Sequence, residues 1–334
     1  MRHHLHVREH AATASATAEV HVRFAADPAS VPGVRRFIAD GLVSWGLVDL
    51  VDDATLCVSE LAGNAALHSG SGFMQIGMRR LPDAVRIIVE DEGDVPAQAV
   101  VPRPSFPDPD DDLDRLTLED EPTTGRGLAI VSILASDWGV DETDAGKRIW
   151  ADVARADDTH GVRQPRTSTS AEVEVQAGGP LPPGWVWVRL LGCPVRLSLR
   201  QDEHLDELIR ELQLIAGDQE NPRWRERASR MRGLLSGPAH ARHTGRRIAQ
   251  QAAAAGKEYI DVDMAMPQEF SAEVQKLQAA VQAADVLCEE LRLLTLASSG
   301  DLRALRAWMT HELVGQIEKG AAPVAWQDWV SRQR

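Results

Sequence analysis

Residues 59–68 read Ser-Glu-Leu-Ala-Gly-Asn-Ala-Ala-Leu-His, and they decide how the rest of the chain is read. Glu60, Asn64 and His68 recur every four residues, so on a helix they stack along one face with modest drift. Leu56, Val58, Leu61, Ala62, Ala65 and Leu67 surround that stripe, which makes the helix apolar almost all round. Polar groups inside such a helix need partners. On these residues alone, either neighbouring backbone satisfies them or they belong to a site.

Working outward, Asp52 or Asp53 can cap this helix, and Ser-Gly-Ser-Gly after His68 ends it. Upstream, Val20–Phe24 alternates like a strand and Pro32 opens a helical pattern through Val43. Downstream, Phe73–Arg79 and Val85–Glu90 alternate as two strands joined by Leu-Pro-Asp. Gly127–Ala135 reads as a helix, and Trp138–Val140 and Arg148–Val153 as strands around an Ala-Gly-Lys turn. Helices interspersed with a mostly antiparallel sheet predict an α/β two-layer sandwich.

Three further stations follow in order. Asp91-Glu92-Gly93 places a carboxylate at a strand end beside a glycine. Gly125-Arg126-Gly127-Leu128 opens a helix whose glycines allow close approach and whose free N–H groups suit an anion. Lys147 follows Gly146 before the last strand; it either lends positive charge to a ligand or is a solvated turn lysine. Neither a Walker A nor a Gly-x-Gly-x-x-Gly pattern is present.

The ordered set of stations resembles the GHKL ATPase fold, and within it the bacterial anti-sigma-factor serine/threonine kinases and their actinobacterial relatives. The matching positions are Glu60/Asn64/His68, Asp91/Gly93, Gly125–Leu128, Trp138-Gly139 and Gly146-Lys147 with Trp150, within roughly residues 18–156. The resemblance implies that ATP and Mg²⁺ are bound. Asn64 would hold the metal, Asp91 would accept the adenine amino hydrogen, and Gly93 would let the ring approach. Gly125, Arg126, Gly127 and Leu128 would cover the phosphates, Lys147 would add charge, and Glu60 would be the catalytic base. The implied partner is a protein, an anti-sigma antagonist that is phosphorylated or a sigma factor that is sequestered. Arg148 stands where that family commonly has threonine. Pro104–Glu121, at the position of the family's mobile ATP lid, carries eight acidic residues and one arginine; it is either a solvated loop or docks on a basic partner. No helical hairpin with a phosphoacceptor histidine precedes the ATPase-like region, which disfavours a histidine kinase.

Length and charge bound the rest. The 334 residues predict two domains: a polar, His-rich arm over 1–17, an ATP-binding domain over 18–156, a linker over 157–183, and a mainly helical α+β regulatory domain over 184–334. Lys+Arg 36 against Asp+Glu 50 argues against a direct nucleic-acid binder. No apolar run approaches the ~18 residues of a membrane span, no signal-peptide core is seen at the start, and Cys57, Cys193 and Cys288 form no disulfide framework. A cytoplasmic protein is expected.

In the C-terminal region, Trp185–Leu190 and Val195–Leu199 read as two short strands around Leu-Gly-Cys-Pro, which suits a hairpin, and Tyr259–Met264 as another strand. Leu205, Leu208, Ile209, Leu212 and Ile215 form a helical stripe. The Arg223–Arg247 stretch is basic, a face for the acidic segment or for solvent. Val274, Leu277, Val281, Ala284, Cys288 and Leu291 approach a heptad, which suits an intramolecular bundle or a homodimer seam.

Overall fold

The computed structural model describes residues 19–93, 126–155, 166–169, 180–217, 222–236, 239–290 and 292–333. The His-rich arm, Gly125 and the acidic 104–121 segment lie outside the described residues.

The N-terminal part is built on one sheet. Its strands are β1 (Glu19–Ala25), β2 (Phe73–Arg80), β3 (Ala84–Asp91), β4 (Asp137–Thr143), β5 (Gly146–Ala154) and β6 (Arg166–Thr169). The order is β1-β2-β3-β5-β4-β6, antiparallel throughout except for the parallel β4–β6 pair at one edge. Strand alternation divides the two faces. Val20, Val22 and Phe24, Met74, Ile76 and Met78, Val85, Ile87 and Val89, and Ile149, Ala151 and Val153 point to one side. There they share a core with helices α1 (Val31–Ser44), α2 (Val51–His68) and α3 (Arg126–Leu134), through Phe37, Ile38, Leu61, Leu128 and Val131. The other face carries polar pairs: Arg86 binds Asp152 and lies 3.9 Å over the Trp150 ring, and Arg148 binds Glu90.

β6 falls inside the stretch expected as a linker, 157–183, so part of that stretch extends the sheet. A larger departure follows at Val195. The expected strand over Val195–Leu199 is instead the start of α4 (Val195–Gly217), while β7 runs unbroken over Trp185–Pro194. The alternation Val-Arg-Leu-Ser-Leu fits either period over so few residues. Here the helix is favoured by Ser198, whose hydroxyl donates to the Pro194 carbonyl at 2.9 Å, and by the buried Val195. The partner of β7 is β8 (Tyr259–Pro267), antiparallel, with a bulge between Leu190 and Cys193 where Gly192 takes φ 63°.

Around this ribbon stand α5 (Pro222–Ser236), α6 (Ala239–Ala254), α7 (Phe270–Glu289), α8 (Gly300–Lys319) and α9 (Trp326–Gln333). The heptad-like residues of α7 are consumed within the chain: Val281, Ala284 and Cys288 pack on Leu205, Leu208 and Leu212 of α4. The basic stretch divides between two helices. On α6, Arg242 and Arg246 pair with Asp202 and Asp206 of α4, so these two cations are neutralised internally.

The two parts are joined by side chains. Trp185 is buried in the N-terminal core, with its ring 5.4 Å from that of Phe37 and its Nε1 donating to Asp40 Oδ2 at 2.9 Å. From α6, Thr244 Oγ1 accepts the Ala25 N–H at 3.2 Å, and His243 meets Asp27 at 3.3 Å.

Candidate functional site

Helix α2 provides the platform. Its apolar residues Ala54, Val58, Leu61, Ala62 and Ala65 are buried against the sheet and α1, which turns Glu60 and Asn64 to a half-buried face. One turn below lies Cys57. Burial foremost, and then the nearby Asp53 and Glu60 charges, push its thiol up to about 12, so Cys57 remains a neutral core residue and not a nucleophile. His68 sits exposed on the last turn, away from the packed part of the face.

Helix α3 brings the glycine-rich station onto this face. Gly127 is buried so closely that a Cβ there would lie 2.6 Å from Glu60 Oε2 and 3.4 Å from Asn64 Nδ2. Glycine leaves the Glu60 carboxylate room to lie against the start of α3, and any larger residue would displace it. The first turn of α3, whose N–H groups have no partner within the helix, therefore lies against a carboxylate and a carboxamide from α2. Leu128, the next residue, is buried in the core and anchors the helix from below rather than facing a ligand. The backbone of Arg126 begins α3.

The third element is the end of β3. Asp91 is buried, and its Oδ1 accepts the Gly93 N–H at 3.0 Å and the Lys147 ammonium at 2.8 Å. The β3–β5 register places Asp91 directly opposite Lys147. Lys147 is therefore not a solvated turn residue. Arg148, one step along, points to the opposite face, where its guanidinium donates to Glu90 Oε2 at 2.8 Å and 3.0 Å. The substitution of arginine at that position thus leaves the Asp91 side of the sheet untouched.

The Asp91-Glu92-Gly93 turn is held against the end of α2. A Cβ on Gly93 would lie 2.3 Å from the Ser69 carbonyl oxygen, and Ser71 Oγ accepts the Glu92 N–H at 3.4 Å. Ser69, Ser71 and the Asp91–Lys147 bond are site features that helix periodicity did not reveal. The Ser-Gly-Ser-Gly stretch read only as a helix stop is also the support of the Asp91 turn.

Glu60, Asn64 and Gly127 are thus brought together, with Asp91, Gly93 and Lys147 forming a second group beside the end of the same helix. Among the described residues, no group of three or more His, Cys, Asp or Glu side chains is arranged to hold a metal alone. Half-buried Asn64, beside one carboxylate and a helix N-terminus, fits a Mg²⁺ ion that shares its ligands with phosphate oxygens and water.

With this geometry in view, the comparison with known families is specific. Residues 24–153 match the family model of the histidine kinase-like ATPase domain. The match runs from the end of β1 into β5 and contains every site residue discussed above. No curated protein matches the chain. Among the described residues, no helix is long and apolar enough to cross a membrane.

Proposed function

We propose that this chain is an ATP-binding regulatory protein that transfers the γ-phosphoryl group of ATP to a serine or threonine hydroxyl of a protein partner, as in the anti-sigma-factor kinases it resembles. The observation that carries the reading is the seating of Gly127 against both Glu60 Oε2 and Asn64 Nδ2. That contact supports a phosphate site at the N-terminus of α3 with a metal ligand and a base beside it. The family match over residues 24–153 supports ATP as the nucleotide.

In this reading Asn64 would help to hold Mg²⁺, which when bound would offset phosphate charge. Asp91 Oδ1 is already engaged by Lys147 and Gly93, so Oδ2 would accept the adenine amino hydrogen. Lys147, fixed by the same pair, would set the carboxylate's orientation. Glu60 would take the proton from the partner hydroxyl as its oxygen bonds to the γ-phosphorus and the bond to the ADP oxygen breaks. The C-terminal helices would recognise the partner or a signal.

Calorimetric titration of the full chain with Mg-ATP, followed by labelled-ATP transfer to candidate protein substrates, tests the reading. Binding should be lost in Asn64→Ala, while Glu60→Ala should bind Mg-ATP and transfer nothing. Wild-type binding without transfer to any partner would instead favour an ATP-gated module that sequesters a sigma factor or another regulator. No wild-type binding would overturn both.

A further inference from the structure

A cavity of about 150 Å³ lies between the β7–β8 ribbon and helices α4, α6, α7 and α8, and none of the Glu60-face residues lines it. Its wall is mainly apolar, with Met264, Met266, Phe270, Val281 and Leu313 among the lining residues. An apolar space of this size holds a molecule of about benzene's bulk.

The polar groups in this wall are unusual. Arg306 on α8 is 95% buried, at 5% exposure, and it lines the cavity. Its Nη2 donates to Asp285 Oδ2 at 3.2 Å, but its buried Nε and Nη1 have no hydrogen-bond partner among the described residues. Gln201 on α4 also lines the cavity, and its buried Oε1 likewise has none. The Gln201 amide nitrogen reaches Met309, one turn beyond Arg306 on α8, so the two unpaired groups stand along the same stretch of helix. Buried donors and acceptors are normally satisfied, and leaving them open is costly.

Charge narrows the occupant further. Arg242 and Arg246 at the wall are matched by Asp202 and Asp206, and Arg306 is matched by Asp285. Three cations already face three carboxylates, so a charged occupant would be buried without a counter-charge of its own.

The geometry points to a binding site for a neutral small molecule with an apolar body of about benzene's size and a carboxamide-like head. The head's carbonyl accepts from Arg306, and its N–H donates to Gln201 Oε1. The methionines allow the wall to adapt to the body's shape. This site is separate from the nucleotide-binding reading and does not depend on it.

Benzamide is the probe. Titrated into the full chain by calorimetry, it should bind saturably, with benzoate and toluene each about tenfold weaker or worse. Gln201→Leu should weaken benzamide by about tenfold, and Ala249→Met, which fills the cavity from α6, should abolish binding. Circular dichroism verifies that each variant folds, and the wild-type ligand series stands without them. Absence of saturable benzamide binding would overturn the proposal, as would equal binding by folded Ala249→Met. Benzoate binding more tightly than benzamide would overturn the neutral head, and toluene binding equally well would overturn recognition of any head.

Discussion

Lys147 and Asp91 form a buried ion pair across neighbouring strands, Nζ to Oδ1 2.8 Å, with side chains only 8% and 2% exposed. Desolvating two charges is costly, and the pair persists because strand register and the Gly93 N–H fix the carboxylate from two directions. Removing one partner is worse than removing both. Lys147→Met is expected to destabilise the fold by about 3 kcal/mol in urea unfolding, and adding Asp91→Asn should restore a large part of that loss. A single-variant loss below about 1 kcal/mol would show that solvent reaches the pair.

Gly127→Ala separates site geometry from stability. The added Cβ meets the far end of a flexible side chain, Glu60 Oε2, so the carboxylate can swing aside without moving the backbone. Thermal stability should stay within about 1 kcal/mol of wild type, since alanine is the better helix former. If the proposed phosphoryl transfer with Glu60 as base holds, that transfer should drop about a hundredfold, because the displaced carboxylate no longer meets the proton. A fall in stability with transfer intact would reverse the assignment.

The pH dependence of folding should carry the mark of His204. Burial foremost, and then the neighbouring Arg306, hold its imidazole below the ordinary value of 6.5, against the opposing pull of Asp285 and Glu207. The unfolded chain therefore takes up a proton at this residue near pH 6.5 while the folded chain does not. Stability contributed by the neutral ring is present above pH 6.5 and is lost as pH falls through the lower folded value. His204→Gln, which can keep a bond to Ser298, should flatten that part of the stability profile. Denaturant midpoints measured at intervals between about pH 5 and 7.5 provide the comparison.

Trp185 tests the union of the two parts. Trp185→Ala removes an indole packed on Phe37 and leaves Asp40 only its Arg36 partner at 3.5 Å, at an expected loss of about 3–5 kcal/mol. Differential scanning calorimetry should show one cooperative transition for wild type and a separated, earlier one for the variant. Two transitions in the wild type would mean that the parts unfold independently.

The helix carrying Glu60 and Asn64 was legible because a four-residue spacing amid apolar residues has one simple helical solution. Its meeting with Gly127 was only implied, because it depends on a packing between helices more than sixty positions apart in number. The Asp91–Lys147 bond was hidden for the same reason: strand alternation assigns faces, but pairing across 56 residues fixes which residues oppose each other. At Val195 a short alternating run suits a strand as well as a helix, and packing of α4 on α7 selects the helix. β6 was hidden by the Gly-, Pro- and Ser-rich residues around it, which made the whole stretch read as linker.

Trp185 also has a consequence for anyone cutting or grafting this chain. The family match ends at residue 153, yet the core it encloses is completed by a ring contributed 32 positions later. A chimera built by transplanting the matched segment alone would carry an open socket beside Phe37 and lose the indole N–H that Asp40 accepts. The sequence boundary of the homologous module and the physical boundary of its interior do not coincide, and a transferable version must include the first turn of the β7 ribbon.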